Sequence, residues 1–236
     1  MPKRRRENHN NHIGYNLRDV ILGGQDGLVN VLGIILAVAT AVSDARLVIV
    51  AGLAATFAES ISMAAVAYTS TKAARDFYRA ELKREKREMK EVPEVERREI
   101  RQIYARKGFS GSLLNSIVKK ITSNKRLWLK TMMEEELHLY PDEYEKPAKD
   151  AAIVGIAAVV GSLIPLLPFL LLPVSAAISG AITLSIIVLF ATGYVKGKIT
   201  TGSAVRSGAE MAAIGMVAAL IGYAIGALLG VALYAA

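Results

Sequence analysis

Residues 151–195 read AAIVGIAAVVGSLIPLLPFLLLPVSAAISGAITLSIIVLFATGYV and contain no Asp, Glu, Lys or Arg. A helix rises about 1.5 Å per residue, so roughly 20 apolar residues cross the ~30 Å of hydrocarbon in a bilayer. Forty-five uncharged residues are too many for one crossing. Pro165, Pro168 and Pro173 lie near the middle, which predicts a hairpin of two spans, Ala151–Leu172 and Val174–Val195. Residues 211–236 are also free of charge and place a further span at about Ala209–Tyr234. Toward the N-terminus two more spans follow the same logic. Leu17–Val42 reaches full length only by including Asp26, and Leu47–Thr71 has Glu59 as its only charge. Five spans in 236 residues exclude a wholly soluble protein. The absence of cysteine excludes a disulfide scaffold and redox chemistry on thiolates or iron–sulfur clusters.

Of the 50 charged residues, 35 fall between Thr71 and Asp150, although the mean hydropathy of the whole chain is +0.34. This is a polar insertion between hydrophobic blocks. The expected organisation is a basic tail (1–16), two spans (17–71), a helical domain (72–147) and three spans (148–236). The fold class is all-α membrane protein. Met1–His12 has no apolar core and is not expected to be a cleaved signal. Lys3–Arg6, the insertion and the Lys196–Arg206 link are basic, whereas Ser43–Arg46 and the turn at Pro173 are nearly neutral or uncharged. That alternation predicts a cytoplasmic N-terminus and insertion and an outward C-terminus. Lys and Arg beside anionic headgroups account for the net charge of +8 without nucleic acid.

Inside the insertion every pattern is helical. The second span continues to about Val92, Pro93 opens a helix that Gly108 ends, and Gly111-Ser112 opens another. Ser123-Asn124 caps a fourth helix, expected to run until Pro141.

An ionisable residue inside a span costs at least about 2.5 kcal/mol on insertion scales and points to function. Asp26 lies nine residues past Leu17, roughly 13 Å into the membrane. Glu59, on a span running the other way, falls at similar depth, and Met63 is one turn further along its face. Two carboxylates with a thioether suit a divalent transition metal over Mg²⁺ or Ca²⁺, and the same carboxylates can take protons in exchange. The bland alternative is a hydrogen-bonded acid pair with Met63 filling a gap. Glu210 sits at a helix start, where it meets the dipole favourably. Gly23–Gly27 and Gly222–Gly226–Gly230 have the spacing for close helix packing, within the chain or between copies.

In the insertion, Glu85 and Glu88 share a helix face, as do Glu96 and Glu99, and Pro93 lets the chain turn between the pairs. Interleaved Lys83, Arg84, Lys86, Arg87, Arg97 and Arg98 would equally suit a solvated, ion-paired helix. The fourth helix favours metal. Trp128, Met132, Glu135 or Glu136, and Leu139 recur at helical spacing, so acids continue an apolar face. Glu135–His138 is one Glu-x-x-His, but a ferritin-like di-iron site needs two, and the only other histidines are His9 and His12. A di-iron oxidase is disfavoured, and His9 and His12 read as part of a mobile tail.

Arg18–Val29 (RDVILGGQDGLV), Ile61-Ser62-Met63-Ala64, and Trp128 followed by Met132–Leu137 (MMEEEL) together resemble the vacuolar iron transporter family. The resemblance covers nearly everything from Leu17 onward. It implies a homodimer that moves Fe²⁺ out of the cytosol against protons. It also implies an ion path near the dimer axis lined by Asp26 and Met63, and an insertion that binds metal through Glu85, Glu88, Glu96, Glu99, Glu136 and Met132. Two positions depart from the pattern. The family's second-span Glu falls at Ala55, with Glu59 one turn nearer the cytoplasm, and a glutamate of the last pair falls at Met133, with Glu134 and Glu135 as stand-ins. No permanently bound cofactor is expected, since the metal (Fe²⁺, with Mn²⁺ or another divalent ion as alternatives) is the substrate. A prokaryotic source would place the protein in the cell membrane and a eukaryotic one in a vacuolar membrane. The competing class is a membrane-anchored metal sensor or store without transport.

Overall fold

A computed structural model describes residues 11–140, 146–200 and 202–235. Every regular element among them is helical: α1 (Asn11–Val42), α2 (Ala45–Glu91), α3 (Pro93–Arg106), α4 (Gly111–Thr122), α5 (Lys125–Thr131), α6 (Pro147–Leu163), α7 (Leu167–Leu171), α8 (Val174–Thr200) and α9 (Ala204–Ala235). Five stretches are long and apolar enough to cross a bilayer, beginning at Asn16, Ala45, Pro147, Val174 and Ala204. The chain divides into two compact units, Thr69–Pro147 and the remainder.

In the membrane unit, lipid supplies no hydrophobic drive between helices, so close backbone approach holds the spans together. A Cβ on Gly23 would lie 2.2 Å from the carbonyl oxygen of Val154, and one on Gly27 2.5 Å from that of Ala158. On α9, Cβ atoms at Gly222 and Gly226 would each stand 2.3 Å from the carbonyl oxygens of Gly33 and Ala37. Both glycine patterns left open by the sequence are therefore used within one chain, Gly23–Gly27 against α6 and Gly222–Gly226 against α1. These contacts run in register, so α1, α6 and α9 point the same way. Gly52 of α2 meets Ile35 and Leu166, and Gly193 of α8 meets Ser207 and Gly208, which makes α2 and α8 antiparallel to them. Tyr68, Ala148 and the α8–α9 link therefore share the side on which α1 begins. Val31, Leu32, Ile35 and Leu36 of α1 are fully buried at the centre. Phe169 and Ala177 close over them.

Helix ends follow local chemistry. Asp44 Oδ1 accepts from the Arg46 N–H at 2.8 Å and caps α2. Pro93 occupies the first turn of α3, where its missing N–H costs nothing. Asn124 Oδ1 accepts from the N–H groups of Arg126 and Leu127 at 3.0 and 3.2 Å. Gly108 and Gly111, at φ +92° and +59°, make the left-handed corner between α3 and α4.

The third span runs Pro147–Leu171, close to the expected Ala151–Leu172, and a 3-10 turn at Ile164–Leu166 lies within it before α7. Pro165 and Pro168 each lack an N–H, so the α ladder cannot pass through them. The fourth helix of the polar unit stops well before Pro141. After Thr131 it widens into a π-helical turn, Met132–Glu136, in which the Leu137 N–H reaches the Met132 carbonyl at 3.2 Å. His138 then turns left-handed at φ +54°.

Candidate metal centres

The membrane unit brings α1 and α2 side by side at Asp26 and Glu59. Asp26 and Glu59 stand close enough to feel each other's charge. Asn30, one turn beyond Asp26 on α1, donates from Nδ2 to Glu59 Oε1 at 2.6 Å. Glu59 is thus met by two α1 side chains, an acid and a neutral amide. Asp26 also lines a crevice of about 440 Å³ that begins at Arg18 and includes Leu22, Gln25 and Ile214. It is not sealed among packed helices. Met63 is half-buried one turn along α2. Behind this site α2 is braced by its own hydroxyls: Thr56 donates to the Gly52 carbonyl at 2.8 Å and Ser60 to that of Thr56 at 2.7 Å. At the mouth of α1, Asp19 is buried and ion-paired with Arg18 at 3.0 Å.

Asn30 escaped the sequence reading. An uncharged polar residue in a span is common, and only its partner across the helix gap distinguishes it. The one available signal was its i, i+4 spacing from Asp26.

In the polar unit, the turn at Val92–Pro93 folds α3 back along α2. One carboxylate oxygen each from Glu85, Glu88 and Glu96 lie within 4.8 Å of one another. Glu85 and Glu96 are 2% and 3% exposed, unusual burial for acids. The second oxygens (Oε2) of Glu85, Glu96 and Glu136 are buried without a hydrogen-bond partner among the described residues. Burial, and then the neighbouring acids Glu136, Glu88 and Glu99, push the Glu85 carboxyl up to about 7. Glu96 is pushed up to about 8 by burial and by Glu85, Glu99, Glu136 and Glu88. Glu136 is also raised, by burial and then Glu99, with Arg84 opposing. Five acids therefore share one field, and protons or a cation must neutralise part of it.

The π turn decides which acids of Met132–Glu136 join. Glu136 feels Glu99 and Glu88, whereas Glu135 pairs with Lys107 and Glu134 lies 3.8 Å from Lys130. Met132 is fully buried, packed with Ile100, Ile121 and Trp128, and Met133 is buried beside it. Glu88 keeps one cation, Arg84, at 3.2 Å. Because the helix has ended before His138, Glu135 and His138 do not share a helical face, and the Glu-x-x-His pattern has no structural counterpart. His9 lies outside the described residues, as does the His12 side chain.

Oxygen-rich acidic clusters with free lone pairs suit divalent cations, Mg²⁺, Ca²⁺ and Mn²⁺ among them. The membrane site offers two carboxylates and an amide; the polar site offers up to five carboxylates.

Comparison with known proteins identifies the family. Residues 17–227 match the model of the VIT family. The chain is 35% identical over 209 residues to vacuolar iron transporter 1 of Tulipa gesneriana, covering 88% of this chain and 85% of the relative. It is 32% identical to vacuolar iron transporter 1 of Arabidopsis thaliana, covering 86% and 81%. It is also 32% identical to the vacuolar iron transporter of Toxoplasma gondii, covering 95% and 78%. With a match spanning nearly all of its length, the chain belongs to the VIT family, the vacuolar iron transporters.

Proposed function

We propose that this protein is a homodimeric, proton-coupled transporter that moves Fe²⁺, or a similar divalent transition metal such as Mn²⁺, out of the cytosol. Asp26, Glu59 and Met63 line the membrane path. Glu85, Glu88, Glu96, Glu99 and Glu136, with Met132, form a cytosolic capture site. The observation that carries the reading is the pairing of Asp26 with Glu59 inside apolar spans. Two carboxyl groups so close favour a proton on one of them, and a divalent cation bridging them would take its place. That substitution is the elementary step of metal–proton exchange. The iron in the relatives' names favours Fe²⁺ as cargo. Arg18, Lys149, Lys196, Lys198 and Arg206 gather toward the side on which α1 begins, which favours that side as cytoplasmic.

Flux into vesicles tests this. Reconstituted wild-type protein should carry Fe²⁺ one way as protons run down their gradient the other way, and Asp26→Ala should abolish that flux while eluting as the same folded species. Undiminished flux in Asp26→Ala would remove the proposed path. A sensor or store would bind metal at the glutamates and carry no flux at all.

A further inference from the structure

We infer that Asn30 is the positioning residue of the membrane site, the fixed amide that holds Glu59 facing Asp26. The inference rests on the transport reading above and adds a residue to it. Three observations carry it. Asn30 and Asp26 are four residues apart on α1 and so project from one face, one turn apart. The Asn30 Nδ2 donates to Glu59 Oε1 at 2.6 Å, a short contact for an N–H donor. Asp26 stands close to the same Glu59. A carboxylate accepts only, so the NH₂ end of the amide is the end that can face it.

The chemistry assigns distinct tasks. Asp26 and Glu59 can each trade a proton for a cation. Asn30 is neutral at every pH and can do neither. It stays in place while the acids change partners. With one oxygen held by the amide, Glu59 loses rotamer freedom and keeps its other oxygen for Asp26 or the ion. A side chain held in advance does not spend ordering entropy when cargo arrives, so the effect falls on apparent affinity. Asn30 is exposed on the surface of the single chain, and an amide there has no packing role among the buried core residues of α1, which are Val31, Leu32, Ile35 and Leu36.

The test uses the full chain in vesicles with Mn²⁺ as the transported ion, measuring initial uptake across Mn²⁺ concentrations. Asn30→Val should raise the KM for Mn²⁺ roughly tenfold, the scale of one hydrogen bond to a charged group, with little change in maximal rate. A length swap guards against simple misfolding. Glu59→Asp shortens the α2 side by one methylene and should raise KM, and adding Asn30→Gln lengthens the α1 side by one and should bring KM back toward wild type. A merely structural amide would not produce that rescue. An unchanged KM in Asn30→Val, or a swap no better than Glu59→Asp alone, overturns the inference and leaves transport standing. Wild-type vesicles with no uptake above empty ones overturn the transport reading and this inference with it.

Discussion

The molecule holds two groups of acids, and they are built in opposite ways. In the membrane unit two carboxylates stand almost alone, steadied by one neutral amide. In the polar unit five carboxylates crowd together among 19 Lys and Arg residues, yet the buried oxygens of Glu85, Glu96 and Glu136 have no hydrogen-bond partner among the described residues. In the proposed reading the first design would keep an ion loosely and exchange it, and the second concentrates negative charge that a cation would neutralise. The surrounding medium explains the difference. Lipid tolerates few charges, so the two acids must share a proton or a cation, whereas a small helical domain in water can hold a cluster.

The comparison can be broken at several points. The largest effect should come from the cluster's centre: Glu96→Gln in the full chain should abolish one class of bound Mn²⁺ in equilibrium dialysis while leaving the membrane site occupied. Retention of every bound ion would mean that the buried acids are only structural.

The next effect is on pH dependence. Glu85 and Glu96 titrate near 7 and 8 in the fold, against 4.5 when unperturbed. In that interval the folded chain holds more protons than the unfolded one, so stability falls as pH rises, from about 4.5 until the folded carboxyls have ionised near 8. Thermal unfolding of the metal-free protein should show this fall, and added Mn²⁺ should reverse it at pH 8. A transition temperature that rises over the same range would contradict the shared acidic field. Glu85→Gln should flatten the slope, because it removes one of the raised carboxyls.

The smallest effect belongs to an acid outside the cluster. Lys107→Met removes the partner of Glu135 at an exposed, solvent-screened ion pair and should leave the denaturant midpoint close to wild type. Its Mn²⁺ binding should match wild type. A large loss of bound metal would place Glu135 inside the cluster after all.

The two regions also differed in how well they could be read from sequence. In the membrane unit a charge inside an apolar run is conspicuous, so Asp26 and Glu59 stood out, and successive spans run in opposite directions, which put the two acids at similar depth. Asn30 did not stand out, because its role exists only across the gap to α2. The hairpin of the third and fourth spans was legible from its prolines, but the 3-10 turn at Ile164–Leu166 inside the third span was not. In the polar unit Pro93 and Asn124 marked their helix starts plainly. Which glutamates converge there depends on how α2, α3 and the Met132–Glu136 turn cross. A π turn shifts the facing of every residue after it, and no 3.6-residue spacing could separate Glu135 from Glu136.

Anomalous scattering from crystals of the full protein soaked in Mn²⁺ bears most directly on the claim that paired membrane acids hold the cargo. The account predicts a peak between Asp26 and Glu59, lost in Asp26→Ala, alongside peaks at the Glu85–Glu88–Glu96 cluster. Peaks at the cluster alone, with Asp26 and Glu59 unoccupied at saturating Mn²⁺, would contradict it.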